Sequence, residues 1–210
     1  MGRIIAPLAV SLASAIVLIF GWVLHNEVVI AIVPGMFPTM KATTAGCMLI
    51  AGLLVYEISK QKPFYGLVAM YACWIGFLLS ATWCITADWY YNNADWHGFN
   101  MHRGVPSLGS TAALLAIAHL GIMESVHRKK CIGVRKFTSG ICGIVSLCSI
   151  VGLIAGVPWL FFFWPGISTG VAVVTAVCFL TLMASIVPAI KDHPVAANSV
   201  EARLKACRSS

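Results

Sequence analysis

The sequence predicts an all-α polytopic membrane protein, a bundle of six transmembrane helices arranged as three repeated hairpins. Three observations carry this. Sixty per cent of the 210 residues are apolar and ten per cent are charged, against about 25 per cent charged in an ordinary soluble domain. Mean hydropathy is +0.89. Six apolar runs approach the roughly 20 residues needed to cross a hydrocarbon core: Ile4–Leu24, Ala42–Ile58, Tyr65–Thr86, Ser107–Met123, Phe137–Val157 and Ser168–Ala189. Lipid offers backbone groups no hydrogen-bond partner, so each run closes its own bonds as a helix.

The first run is long and uninterrupted and shows no convincing cleavage site before the second, so it is expected to be a retained span. The remaining spans are bounded by charged or Pro/Gly-containing connections. Residues 1–190 form the bundle on this reading. Residues 191–210 form a short cytoplasmic tail, in which Val195–Ala206 makes a turn or two of amphipathic helix or stays disordered.

Charge gives the orientation. Arg3, the Ser59–Phe64 loop, the Ser125–Lys136 loop and the tail hold twelve of the fourteen Lys and Arg residues; the alternate loops hold Lys41 and Arg103. The positive-inside rule then puts both termini in the cytoplasm. The net charge of +7 follows from topology and anionic lipid, and no nucleic-acid partner is needed to explain it. The eight cysteines avoid the outer loops and form no CxxC pair. A disulfide-stapled exterior or a zinc ribbon is therefore not expected, and the six cysteines within spans read as small buried hydrophobes.

The returning helix of each hairpin carries a related segment: MKATTAGCMLIAGL (Met40–Leu53), STAALLAIAHLGIM (Ser110–Met123) and VTAVCFLTLMASI (Val174–Ile186). Thr44, Thr111 and Thr175 correspond, 67 and then 64 residues apart, which is a repeat-like period. A glutamate follows thirteen residues later in two copies, at Glu57 and Glu124; Pro188 takes that place in the third. Small residues let helices approach, and Thr hydroxyls bond to carbonyls nearby. The repetition thus specifies packing.

The outer connections are aromatic. Asp88–Pro106 reads DWYYNNADWHGFNMHRGVP and Val157–Ser168 reads VPWLFFFWPGIS. Trp89, Tyr90, Tyr91, Trp96, His97, His102, Trp159 and Trp164 form either an interfacial aromatic belt or a surface for a ligand or partner.

GWVL followed by VPGMFPTMKATTAGCMLIAGL resembles the start of the multi-helix membrane sensor region that precedes bacterial histidine kinase and diguanylate cyclase outputs. Met40, Lys41, Thr44, Ala45 and Cys47 match that group's Met-Lys-x-Asn-Thr-Ala-Leu-Cys helix, with Thr43 where Asn is usual and Gly46 where Leu is usual. Arg103, Pro106, Ser107, Thr111 and Ala112 resemble its Arg-Met-Ser-Pro-x-Thr-Ala segment, and Thr175 with Ala176 a third. The resemblance spans about residues 20 to 188. It implies a bacterial inner-membrane location and a sensor-like role. No such output follows Ala189, so the expectation is an accessory subunit that binds a larger membrane partner.

Candidate chemistry is sparse. His119 is the one histidine inside a span, and an ionisable group at that depth is a functional candidate. It could relay protons, ligate haem, or sit neutral against a neighbouring hydroxyl or carbonyl. Haem with two histidines needs a second at similar depth, and His102 lies 17 residues away, roughly 25 Å along a helix. His25, Glu27, Asp88, Asp95, His97 and His102 share the outer side and suit copper or zinc in type, but match no known spacing. Glu57 and Glu124 are expected to pair with Lys60 and Arg128 one turn on, or else to serve ion coupling in a small transporter. No nucleophile elbow, Walker loop, dinucleotide fingerprint or HExxH motif is present. The expectation is a non-enzyme without a resident cofactor; transport, or electron transfer through haem or a metal, are the alternatives.

Overall fold

The structure, a computed structural model, describes residues 2–26, 29, 40–60, 62–92, 106–127, 131–157, 159–160 and 171–191. All regular structure among them is helical: α1 (Gly2–Ile16), α2 (Ala42–Ser59), α3 (Tyr65–Asn92), α4 (Leu108–His127), α5 (Ile132–Ala155) and α6 (Val173–Lys191). The α1 rod continues through α1 and the following segment Val17–Val23. With α2 to α5 it makes five helices long and apolar enough to cross a membrane, and α6 adds a shorter apolar stretch, Val173–Val187.

Each helix packs on its sequence neighbour, and α1 meets α6 to close the ring. The second helix also touches α4 and α6, so it lies innermost. Its sequence explains why. Ala45, Cys47, Met48, Ala51 and Leu54 are fully buried, and none of these side chains is branched at Cβ, which permits approach from several sides. The antiparallel pairing of α1 and α2 is fixed at both ends: the Ser11 hydroxyl donates to the Leu49 carbonyl at 2.9 Å, and the Trp22 indole N–H donates to the Met40 carbonyl at 3.0 Å.

Two glycines set the closest approaches. A Cβ at Gly52 would stand 2.2 Å from Ser11 Oγ and 2.6 Å from the Pro7 carbonyl, so α1 lies against bare α2 backbone there. A Cβ at Gly121 would stand 2.7 Å from Leu54 Cδ1 and 2.9 Å from Ala72 Cβ, which marks the junction of α2, α3 and α4. Without a hydrophobic drive between helices in lipid, such packing is a main source of association.

Val17–Val23 is π-helical, with the Leu24 N–H bonding to the Ile19 carbonyl at 3.0 Å. The extra residue per turn shifts the face that Trp22 presents, and Trp22 ties α1 to the chain just before α2 through the Met40 carbonyl. Beyond it His25 adopts φ 54°, a region costly for a residue with a Cβ. Replacing Trp22 with Phe keeps the ring and removes the donor. Unfolding in mixed micelles should show a loss of about 0.5–1.5 kcal/mol; an unchanged midpoint would mean that the Met40 carbonyl finds another donor.

The outward side chains repeat with alternating steps of four and three residues. On α3 they are Gly66, Met70, Cys73, Phe77, Ser80 and Cys84; on α4, Leu108, Ala112, Leu115, His119, Ile122 and Val126; on α5, Phe137, Gly140, Ile144, Leu147, Val151 and Ile154. Steps of four and three track the 3.6-residue turn, so one face of each of these helices stays outward along its length. These stripes are apolar save for Ser80, the glycines and His119, as a surface solvated by lipid chains requires.

Candidate functional site

Among the described residues, the polar groups buried in the bundle are hydroxyls, two carboxylates and the Arg135 guanidinium. The hydroxyls mostly return a bond to their own helix: Ser146 to the Cys142 carbonyl at 2.7 Å, Ser149 to Val145 at 2.6 Å and Ser185 to Thr181 at 3.0 Å. Thr138 reaches across instead, donating from α5 to the Ala116 carbonyl of α4 at 3.1 Å. The corresponding threonines Thr44 and Thr175 are buried. Thr111 is half-buried, and its Oγ1 has no hydrogen-bond partner among the described residues. At the start of α4, Ser107 Oγ accepts from the Ser110 N–H at 3.1 Å, a side-chain N-cap.

Glu57 and Glu124 are both buried, at 6% and 5% exposure. Glu57 pairs with Lys60 at 2.5 Å within one turn, as the spacing suggests. The Lys60 ammonium also lies 4.4 Å from the centroid of the Tyr56 ring, a cation–π distance. Lys60 stands just past the end of α2, and the hydrogen bond from the Glu57 carboxylate, with the nearby negative charge, raises its pKa above the ordinary lysine value. The second Glu57 oxygen is buried without a partner among the described residues.

Glu124 has a partner that the spacing along its own helix does not suggest. Its partner is Arg135 of α5 at 2.5 Å, with both side chains buried, whereas Arg128, one turn on, lies outside the described residues. The reason is the hairpin: α5 begins at Ile132, earlier than the hydropathy of the chain suggests. Its first turn therefore brings Arg135 back alongside the last turns of α4. Arg135 is the residue that sequence reasoning missed. The available signal was the arginine's position one turn into a helix that faces a buried acid across a tight connection.

The mid-span histidine, His119, does not enter the interior. It is exposed, in the middle of the outward stripe of α4, twelfth of twenty helical residues. It makes no hydrogen bond or ion pair with a described residue. Half a 20-residue helix is about 15 Å, so His119 sits near the centre of the span. The helix that carries it is the most enclosed of the five long spans, with 56% of its window buried, and the stripe is its free edge.

Other sequence candidates fall in different places. Trp159 is exposed at 67%. Trp89, Tyr90 and Tyr91 lie on the last turns of α3, with their side chains outside what is described. Trp96, His97, His102 and Trp164, with Glu27 and Asp95, lie outside the described residues. Of the six cysteines expected to be buried, Cys47, Cys142 and Cys178 are, and Cys148 is half-buried; Cys73 and Cys84 are exposed on the lipid-facing stripe of α3, where a small apolar side chain is equally at home. Cys131, expected in a cytoplasmic loop, is buried beneath the start of α5. Among the described residues no three His, Cys, Asp or Glu side chains gather as a metal ion needs, and His119 offers a haem a single ligand.

An apolar hollow of about 240 Å³ lies on the outward face of α3, lined by Met70, Cys73, Trp74 and Phe77. Trp74 and Phe77 meet edge to face with centroids 5.6 Å apart. It opens to the lipid side, and its lining is almost wholly apolar.

Comparison with protein-family models, with curated proteins and with solved structures gives no match.

Proposed function

We propose that the chain is a non-catalytic, sensor-like or accessory membrane subunit that acts by lateral helix contact with a protein partner. It would reside in a bacterial inner membrane with both termini cytoplasmic and its aromatic outer loops presented to a ligand or partner. The observation that carries this is His119. Ionisable side chains at mid-depth almost always face a bundle interior or a water-filled cavity, because hydrocarbon cannot solvate them. Here the imidazole is outward, exposed and unpartnered among the described residues. A protein surface laid on the α4 stripe would supply the missing polar contact and remove that cost. The same placement weighs against the transporter alternative, which needs His119 to line a path between the helices.

The test is recovery of the intact chain from native membranes in mild detergent. The expected result is a complex of defined stoichiometry, weakened by His119→Leu and broken by Ala112→Trp on the same stripe. A monomer that binds no protein yet moves a solute in liposomes would overturn the proposal.

A further inference from the structure

We infer that the protein laid on the α4 stripe is a second copy of this chain, with the two His119 side chains meeting at the centre of the contact. This rests on the lateral-contact reading above and names its partner. Three features of the stripe converge on it. First, copies of one chain insert in one orientation, so two α4 helices meet in parallel about a two-fold axis normal to the membrane. Residue 119 then faces residue 119 at the same depth automatically, whereas an unrelated partner would need a polar group at that level independently. Secondly, a neutral imidazole carries one N–H donor and one acceptor nitrogen, so two of them close a hydrogen bond with no third group. Thirdly, Leu108, Ala112, Leu115, His119, Ile122 and Val126 already follow the steps of four and three by which two right-handed helices interlock side by side. Ala112 gives room for a neighbouring side chain, and a single polar residue in such a seam fixes its register. The α3 and α5 stripes have the same period, so period alone would not choose among them. His119 distinguishes α4.

The experiment counts photobleaching steps for the full-length, fluorescently tagged chain reconstituted at low density in liposomes. The wild type should bleach in two steps. His119→Leu should shift the monomer–dimer equilibrium toward monomer by roughly three- to tenfold, the range expected for one interhelical polar contact in lipid. His119→Gln, which keeps a donor and an acceptor, should restore much of the association. Ala112→Trp should leave monomers, whereas Ile144→Trp on the α5 stripe should leave the dimer intact. Single-step bleaching of the wild type, or a dimer insensitive to both α4 changes, overturns the inference. If native membranes yield one copy of this chain with a different protein on α4, the second copy is excluded and lateral contact stands. Absence of any α4-dependent complex removes both.

Discussion

Replacing Arg135 with Leu should destabilise the bundle by roughly 3–5 kcal/mol, the cost of leaving one partner of a buried ion pair uncompensated. Arg135 and Glu124 are exposed at only 7% and 6% of their side chains, so neither can turn to water without opening the α4–α5 hairpin. The converse change, Glu124→Leu, should cost a similar amount by stranding the guanidinium. The double change to apolar residues of similar size, Glu124→Leu with Arg135→Met, should recover most of the loss, because it removes both desolvation penalties together. Reversible unfolding in mixed micelles gives all three values. Additive losses in the double variant would show that the two side chains act separately, and that the pair does not hold the hairpin.

The second large effect is steric. Gly52→Ala places a Cβ within 2.2 Å of Ser11 Oγ and 2.6 Å of the Pro7 carbonyl. The hydroxyl can rotate away, but the carbonyl belongs to the α1 backbone and moves only if the helices part. Overpacking of this kind costs about 1–3 kcal/mol, and here it also disturbs the 2.9 Å bond from Ser11 to Leu49. Gly46, on the same helix, is the control. Nothing lies within 4 Å of a Cβ built there, so Gly46→Ala should be neutral or stabilise α2 by up to about 1 kcal/mol through helix propensity. Equal behaviour of the two alanine variants would contradict the close crossing of α1 and α2.

How much of this the sequence discloses depends on which property carries the information. The existence of the rods is a matter of hydropathy, and Ala42 and Tyr65 are indeed the first residues of α2 and α3. The ends are less legible because a helix does not stop where apolarity stops. The third helix runs past Thr86 to Asn92, through Asp88, since a helix that leaves lipid still satisfies its own backbone. The fifth begins at Ile132 instead of Phe137, because a charged residue in its first turn reads as loop until its buried partner is known. The π-helical segment Val17–Val23 leaves no trace in an evenly apolar run.

Facing is the least legible property. In a soluble helix, polarity marks the outer side; in lipid both sides are apolar and the signal fades. The hydrophobic pattern of α4 gave no reason to place His119 outward, and the small residues around it suit either face. The packing of Gly121 against Leu54 and Ala72, two residues on, belongs to the inward face of the helix and leaves His119 turned away from the interior. The same rotation brings Glu124 inward to Arg135, so one geometric fact sorts His119 and Glu124 into opposite environments.

The direct test of that sorting is the solvent at position 119. His119→Cys, in a chain whose other cysteines are replaced, should resist a charged, membrane-impermeant maleimide applied from either side of the vesicle. A nitroxide attached there should collide with lipid-soluble oxygen, and less so when the chain associates. Rapid modification by the charged reagent would place residue 119 on an aqueous path through the bundle, and would contradict a protein that works through its outer face.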